Sequence, residues 1–255
     1  MSYATLKQLN ALSKGMEEKT LFTQEDVSLN IENIKKLSDC EKFSFVDFMN
    51  LLTLKDATVS LTTTLTSLIY KIGTTIHGGT TLTATVTKGS YDISQIEFFV
   101  DNTSIGVETV DVDNGGVYSC GYGLDITTNK EFKVVVTDVN GNEIKDVIEV
   151  NFYNPYYYGH VDKDLVDVTE TDVLAMTQIV NKKGNQKLKY TMSNERAIFA
   201  YDKSYGDLIS ILDPNNFENL SSFSKVEMTI DGVLCNVYIQ SEKCYCTNFE
   251  YNFKF

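Results

Sequence analysis

The sequence predicts a mainly β protein: a helical amino-terminal segment, an immunoglobulin-like β-sandwich, then a second β-rich unit of α+β character. Three observations carry this. Apolar residues in the first fifty or so positions fall at helical spacing, as Leu6, Leu9 and Leu12 do. From about Thr58 the period drops to two. The chain closes on "TNFEYNFKF", in which Phe249, Tyr251, Phe253 and Phe255 alternate with polar residues. Each such ring can bury ~150–250 Å², so a whole aromatic strand face has to lie against a core.

Residues 1–56 are expected to be helical and to attach the protein to a neighbour. Thr23 is placed to cap a helix, with Asp26 three residues on and Val27, Leu29, Ile31, Ile34 and Leu37 following. "FSFVDFMNLLTL" is too apolar for a helix in water. Phe43, Phe45, Phe48, Met49, Leu51 and Leu52 are therefore candidate docking residues.

Residues 57–153 supply short runs rich in Val, Ile, Thr and Phe: "TVSLTTTL", "SLIYKIG", "TLTATVT", "SQIEFFVD", "TSIGVE", "GVYSCGY", "EFKVVVTDV" and "DVIEVNF". Gly, Asn and Asp separate them at the intervals of a sandwich. Asn140-Gly141 between two alternating runs is a hairpin signal.

"NFYNPYYYGHVD" marks the boundary with the third segment, 154–255, because Pro155 removes a donor and biases Asn154 toward extended backbone. "TETDVLAMTQIVNKKGN" then reads as one short helix. Thr169 or Thr171 caps it, Val173, Leu174, Met176, Ile179 and Val180 form its apolar face, and Gly184 ends it. β character returns in "KLKYTM", "AIFAYD", "KVEMTID" and "VLCNVYIQ", with Asp231-Gly232 as a second hairpin turn. In "AIFAYDKSYGDLISILDPNNFE", Ile198 and Ala200 face one way and Phe199 and Tyr201 the other. "YGDLISIL" is expected to make a helical turn or two, presenting Leu208, Ile211 and Leu212, and "DPNNFE" a turn.

The 35 acidic groups against 22 basic ones set a field that repels phosphate backbones and anionic lipid. Nucleic acid and membrane are thus not expected partners. No apolar run reaches the ~18 residues of a membrane span, and the start lacks the apolar segment of a secretion signal, so a soluble protein made in a cytoplasm is expected. The five scattered cysteines read as reduced thiols.

Chemistry is harder to find. "DVDNGG" opens like a calcium loop, but Gly115 stands at its fifth position and Tyr122 at the twelfth, so a turn is expected there. Cys235, Cys244 and Cys246 lack the spacing of a zinc site, and their role is open. His77 and His160 have no nucleophile motif around them. No catalytic, cofactor or metal residue is assigned, and an enzyme is not expected. Tyr156, Tyr157 and Tyr158, next to Tyr153, are a candidate interaction surface, either stacking on a sugar or packing where the two domains join.

The run "KGNQKLKYTMSNERAIFAYDKSYGDLISILDPNNFE", with "DGVLCNVYIQ" and the terminal "TNFEYNFKF", resembles the C-terminal domain of structural proteins in phages, prophages and phage-tail-like particles of low-GC Gram-positive bacteria. "LTATVTKGSYDISQIEFFVDNTSIG" and "FKVVVTDVNGNEI", leading into "NPYYYG", resemble the bacterial immunoglobulin-like module that often precedes that domain. Cys244-Tyr245-Cys246 departs from the pattern. The resemblance implies a non-enzymatic virion component of tail, baseplate or fibre, located in the particle and assembled in the bacterial host cytoplasm. Its expected partners are other virion proteins and further copies of itself. The alternatives are a module binding cell-wall glycan or a surface protein of the host, and a head fibre or decoration protein.

Overall fold

In the computed structural model, residues 55–255 are described, apart from residue 110. The helices expected within 1–56 and the docking residues Phe43, Phe45, Phe48, Met49, Leu51 and Leu52 lie outside the described residues. What is described is mainly β, in three hydrogen-bonded sheets.

Two of the sheets face each other. The first is antiparallel, in the order β1 (Thr58–Thr63), β3 (Thr80–Thr87), β6 (Gly115–Tyr122). The second holds β2 (Ile69–Lys71), β8 (Glu143–Tyr153), β7 (Lys130–Asp138), β4 (Ile93–Val100) and β5 (Thr103–Glu108), with β2 parallel to β8. Alternation decides which side chains meet. Leu82, Ala84 and Val86 of β3 share one buried cluster with Ile96 and Phe98 of β4 and Phe132, Val134 and Val136 of β7. The opposite face of the smaller sheet is hydroxyl-bearing: Thr58, Ser60 and Thr62 lie across from Thr87, Thr85 and Thr83.

The turns follow their residue types. Asp138 Oδ1 accepts from the Asn140 and Asn142 backbone N–H groups, and Gly141 takes φ +78°, which closes the β7–β8 hairpin. "DVDNGG" is a turn into β6, closed by Gly115 N–H to the Val112 carbonyl at 2.9 Å.

β8 ends at Tyr153 and β9 (Pro155–Val161) begins two residues later in the third sheet, leaving Asn154 alone between them. The third sheet runs β10 (Thr177–Val180), β9, β11 (Gln186–Asp202), β14 (Val233–Gln240), β13 (Phe223–Ile230). β15 (Cys244–Lys254) pairs with the first half of β11, and β12 (Ser210–Leu212) with β15. On one face, Tyr156, Phe199, Tyr201 and Tyr238 pack with Leu188, Tyr190, Tyr251 and Phe253. On the other, Tyr157, Ile198, Ala200, Val237 and Ile239 pack with Val168 and Val173. The opposed facing of Phe199 and Ile198 read from the sequence is what the strand shows.

Three expectations need correction. The helix α1 covers only Glu170–Leu174, so Ile179 and Val180 belong to β10 rather than to its apolar face. The β-branched run Thr177–Val180 finds hydrogen-bonding partners in Tyr158–Pro155, and that pairing wins over the helical period. Thr169 is the residue before the helix, and Asp172 Oδ2 accepts from its backbone N–H at 2.8 Å. "YGDLISIL" is not helical either. A 3-10 turn at Lys203–Tyr205 stops at Gly206, with φ +85°, and Ile209 N–H then reaches the Lys254 carbonyl, starting β12. Finally, "KLKYTM" and "AIFAYD" are one strand. β11 passes through two register shifts between Tyr190 and Glu195, with Asn194 at φ +62°, and changes neighbours there from β15 to β14 and β9.

Candidate functional site

The stretch with the most reactive-looking side chains, Asp202 to Glu218, is tied into the fold through each of its charged side chains. Asp202 Oδ1 accepts from Ser204 N–H at 2.8 Å, and Oδ2 accepts from Asn154 Nδ2 at 2.6 Å. Burial pushes this carboxyl up, but the Asn154 and Ser204 hydrogen bonds outweigh it and hold the pKa below the usual value. Lys203 is not paired with Asp202. Its ammonium lies 2.7 Å from Glu227 Oε2. Asp207 pairs with Lys225, whose hydrogen bond holds that carboxyl low. Asp213 Oδ1 accepts from Asn215 and Phe217 N–H, and Glu218 Oε1 accepts from Ile211 and Leu220 N–H.

Behind this surface lies a small polar node. The Gly206 carbonyl accepts from Tyr201 OH at 3.0 Å and from Asn236 Nδ2 at 2.9 Å. Leu208 N–H donates to Tyr238 OH. Asn236 is fully buried, and its Oδ1 has no hydrogen-bond partner among the described residues. Burial raises the phenol of Tyr201 well above its ordinary range. A phenol that holds its proton donates hydrogen bonds and does not act as a base.

The tyrosine cluster divides across the sheet. Tyr156 is fully buried, stacked on Phe199 with ring centroids 5.8 Å apart and edge-on to Phe255. Its OH donates to the Lys182 carbonyl, and burial lifts its pKa to about 12. Tyr157 is buried on the opposite face and lines a shallow depression between the two units with Lys71, Asn154, Asp231 and Cys235. Tyr158 is half-buried against Tyr190. The rings of Tyr156 and Tyr157 are thus closed to solvent, and a sugar cannot stack on either in this fold.

Both histidines have carboxylate partners. His77 Nδ1 lies 2.9 Å from Asp125, and His160 Nδ1 lies 2.9 Å from Glu195. Cys235 is buried in the cluster of Ile198 and Val237, whereas Cys244 and Cys246 edge the aromatic cluster on the other side. The three thiols therefore do not converge. Burial, with Asp202 nearby, raises the Cys235 thiol to about 11.

Sequence reasoning missed the clasps. Arg196 is nearly buried, and its guanidinium donates to the carbonyls of Lys163, Gln240 and Ser241 and faces Asp164. Lys71 on β2 reaches Asp231 in the β13–β14 turn, 2.8 Å away. Neither partner is within 30 positions of the other, so no local pattern signals them.

No protein-family model matches the chain, and no curated protein matches it. Among solved structures it has a distant likeness to the fibronectin(III)-like modules of Clostridium thermocellum CbhA. Identity is 17% and the TM-score 0.26, over 78% of this chain and 79% of that one.

Proposed function

We propose that this chain is a non-enzymatic structural and assembly protein of a phage or phage-like particle, in its tail, baseplate or fibre. The observation that carries this reading is the use made of Asp202–Glu218. Its acids, lysine and amides serve as turn closures, ion pairs and strand ends around a core of stacked aromatic rings. That is the chemistry of a rigid part.

In the same reading, residues 57–153 are an immunoglobulin-like spacer and 154–255 the module of phage structural proteins that the sequence resembles. A single residue, Asn154, joins them, and two side-chain contacts brace the junction, Asn154 to Asp202 and Lys71 to Asp231. Partners would be other proteins of the particle and further copies of the chain.

Immunogold electron microscopy of purified particles, with an antibody against residues 57–255, tests the proposal. Labelling at one fixed place on the tail, baseplate or fibre is expected. Label confined to the head would move the protein to a head fibre or decoration role, and absence from mature particles would end the proposal.

A further inference from the structure

Residues 154–255 contain ten lysine and arginine side chains, and they sort by position into two sets. Lys163, Arg196, Lys203, Lys225 and Lys243 each face a carboxylate: Asp172, Asp164, Glu227, Asp207 and Asp162. Lys182, Lys183, Lys187, Lys189 and Lys254 make no ion pair among the described residues.

Three of the second set, Lys187, Lys189 and Lys254, share one sheet face. On β11, Gln186, Leu188 and Tyr190 point inward, so Lys187 and Lys189 stand on the outer face. Lys254 alternates with buried Phe253 on the adjacent β15. The β10–β11 turn lies at the edge of this face, where Phe255 N–H donates to Asn185 Oδ1, while Lys183 Nζ sits 5.8 Å from the centroid of the Phe255 ring on the core-facing side of β15. Glu250 stands directly across from Lys189 without pairing to it. A protein with formal charge -13 thus keeps three lysines, against the single carboxylate of Glu250, on one sheet face without an ion pair among the described residues.

The opposite character appears on the sandwich. Residues 57–153 hold twelve carboxylates against five lysines. On the outer face of the five-stranded sheet, Glu131 and Glu149 are directly opposed across β7 and β8. Like charges so placed destabilise a sheet, and neither has a cation partner among the described residues. Glu97 and Glu143 share that face. So do Lys145 and Lys133, the latter drawn to Asn102 Oδ1 and over the Phe99 ring.

We propose that the lysine face of β11 and β15 docks on the glutamate face of the five-stranded sheet in a second copy of the chain. Seating ammonium groups over Glu131 and Glu149 relieves their mutual repulsion and neutralises the lysines in the same step. Because the two faces differ, the contact is head-to-tail and propagates into a ring or a filament. It works against the net repulsion between two acidic copies, so it acts at short range and weakens at high salt. The inference rests on the assembly reading above and names its partner.

Sedimentation velocity on the full chain tests it, with circular dichroism and thermal melts to verify folding. The wild-type chain is expected to sediment faster as concentration rises, and less so in 0.5 M salt (on the order of a 4–5 Å Debye length). The variant Lys187→Glu/Lys189→Glu/Lys254→Glu and the variant Glu131→Lys/Glu149→Lys should each weaken association at least tenfold while melting like wild type. Mixed together, they should associate again, since each restores the charge complement the other lost. A wild-type chain that stays monomeric overturns the proposal, as do variants that associate undiminished or a mixture that does not recover. If polyphosphate beads retain wild type but not the lysine variant, without self-association, the occupant is an anionic polymer and the proposal falls. Association in solution with absence from particles would instead sink the particle assignment and leave this contact standing.

Discussion

Asn154 Nδ2 donates to Asp202 Oδ2 across 2.6 Å, tying the one residue between the two β units to the end of β11. Asp202 Oδ1 at the same time closes the 3-10 turn through Ser204 N–H. One carboxylate thus sets both the junction and the start of the Asp202–Glu218 loop.

Replacing Asn154 with Ala should therefore cost about 1.5–3 kcal/mol, the usual worth of a hydrogen bond to a charged group. The pH dependence has a definite sign. The folded-state pKa of Asp202 lies below its ordinary value, so its contribution is fully present above the ordinary carboxylate range and is lost as pH falls through the folded pKa. Urea titrations at pH 7 and pH 3 should show a large difference between wild type and Asn154→Ala at pH 7, and a smaller one at pH 3. An equal gap at both pH values would remove Asp202 from the account.

Arg196 holds three backbone carbonyls from two separate chain segments. Arg196→Ala leaves them without a donor in a nearly buried place and should lose about 3 kcal/mol. Arg196→Lys should recover less than half of this, because a point ammonium cannot span the fork. Lys203→Ala, which removes an exposed pair with Glu227, should stay within about 0.5 kcal/mol of wild type. Equilibrium denaturation of the three variants reads the ranking directly.

The adjacent glycines 78 and 79 should behave differently. Both have positive φ, +74° and +66°. A Cβ on Gly78 meets nothing within 4 Å, whereas one on Gly79 would sit 1.7 Å from the Tyr122 carbonyl oxygen. Gly78→Ala should cost only the backbone strain, about 1–2 kcal/mol. Gly79→Ala must move β6 and should cost well over 3 kcal/mol, visible as a much lower urea midpoint or failure to fold.

Thiol chemistry should separate the cysteines. Cys235 is buried and its thiol is raised to about 11, so it should resist an alkylating reagent at pH 8 in the native state and react only in denaturant. Cys120, Cys244 and Cys246 are half-buried and should label ahead of it, as peptide mass mapping would report. Native labelling of Cys235 at the rate of Cys246 would contradict the packing described.

Period-two alternation made β3, β4 and β7 readable because each has one face in a core and one in water. It is silent where both faces are covered. Pro155, Tyr156 and Tyr157 are all buried, so β9 looked like a boundary rather than a strand. At β10 the failure was of another kind. Val173, Met176, Ile179 and Val180 do fall at helical spacing, and only the ladder offered by β9 decides against a helix. The loop after Asp202 was legible as turns and joints from its Asp, Asn, Gly and Pro content. Its ion pairs were not, since Lys203–Glu227 and Asp207–Lys225 span 24 and 18 positions.

The length of β11 decides how the unit can be divided. Its first half is the partner of β15, and its second half lies between β9 and β14. Neither layer can be lifted out without taking the other's strand, so a cut anywhere inside β11 leaves both halves with unpaired ladder groups. Asn154, by contrast, is where one residue separates two separately hydrogen-bonded sheets, so the chain divides there without splitting a strand.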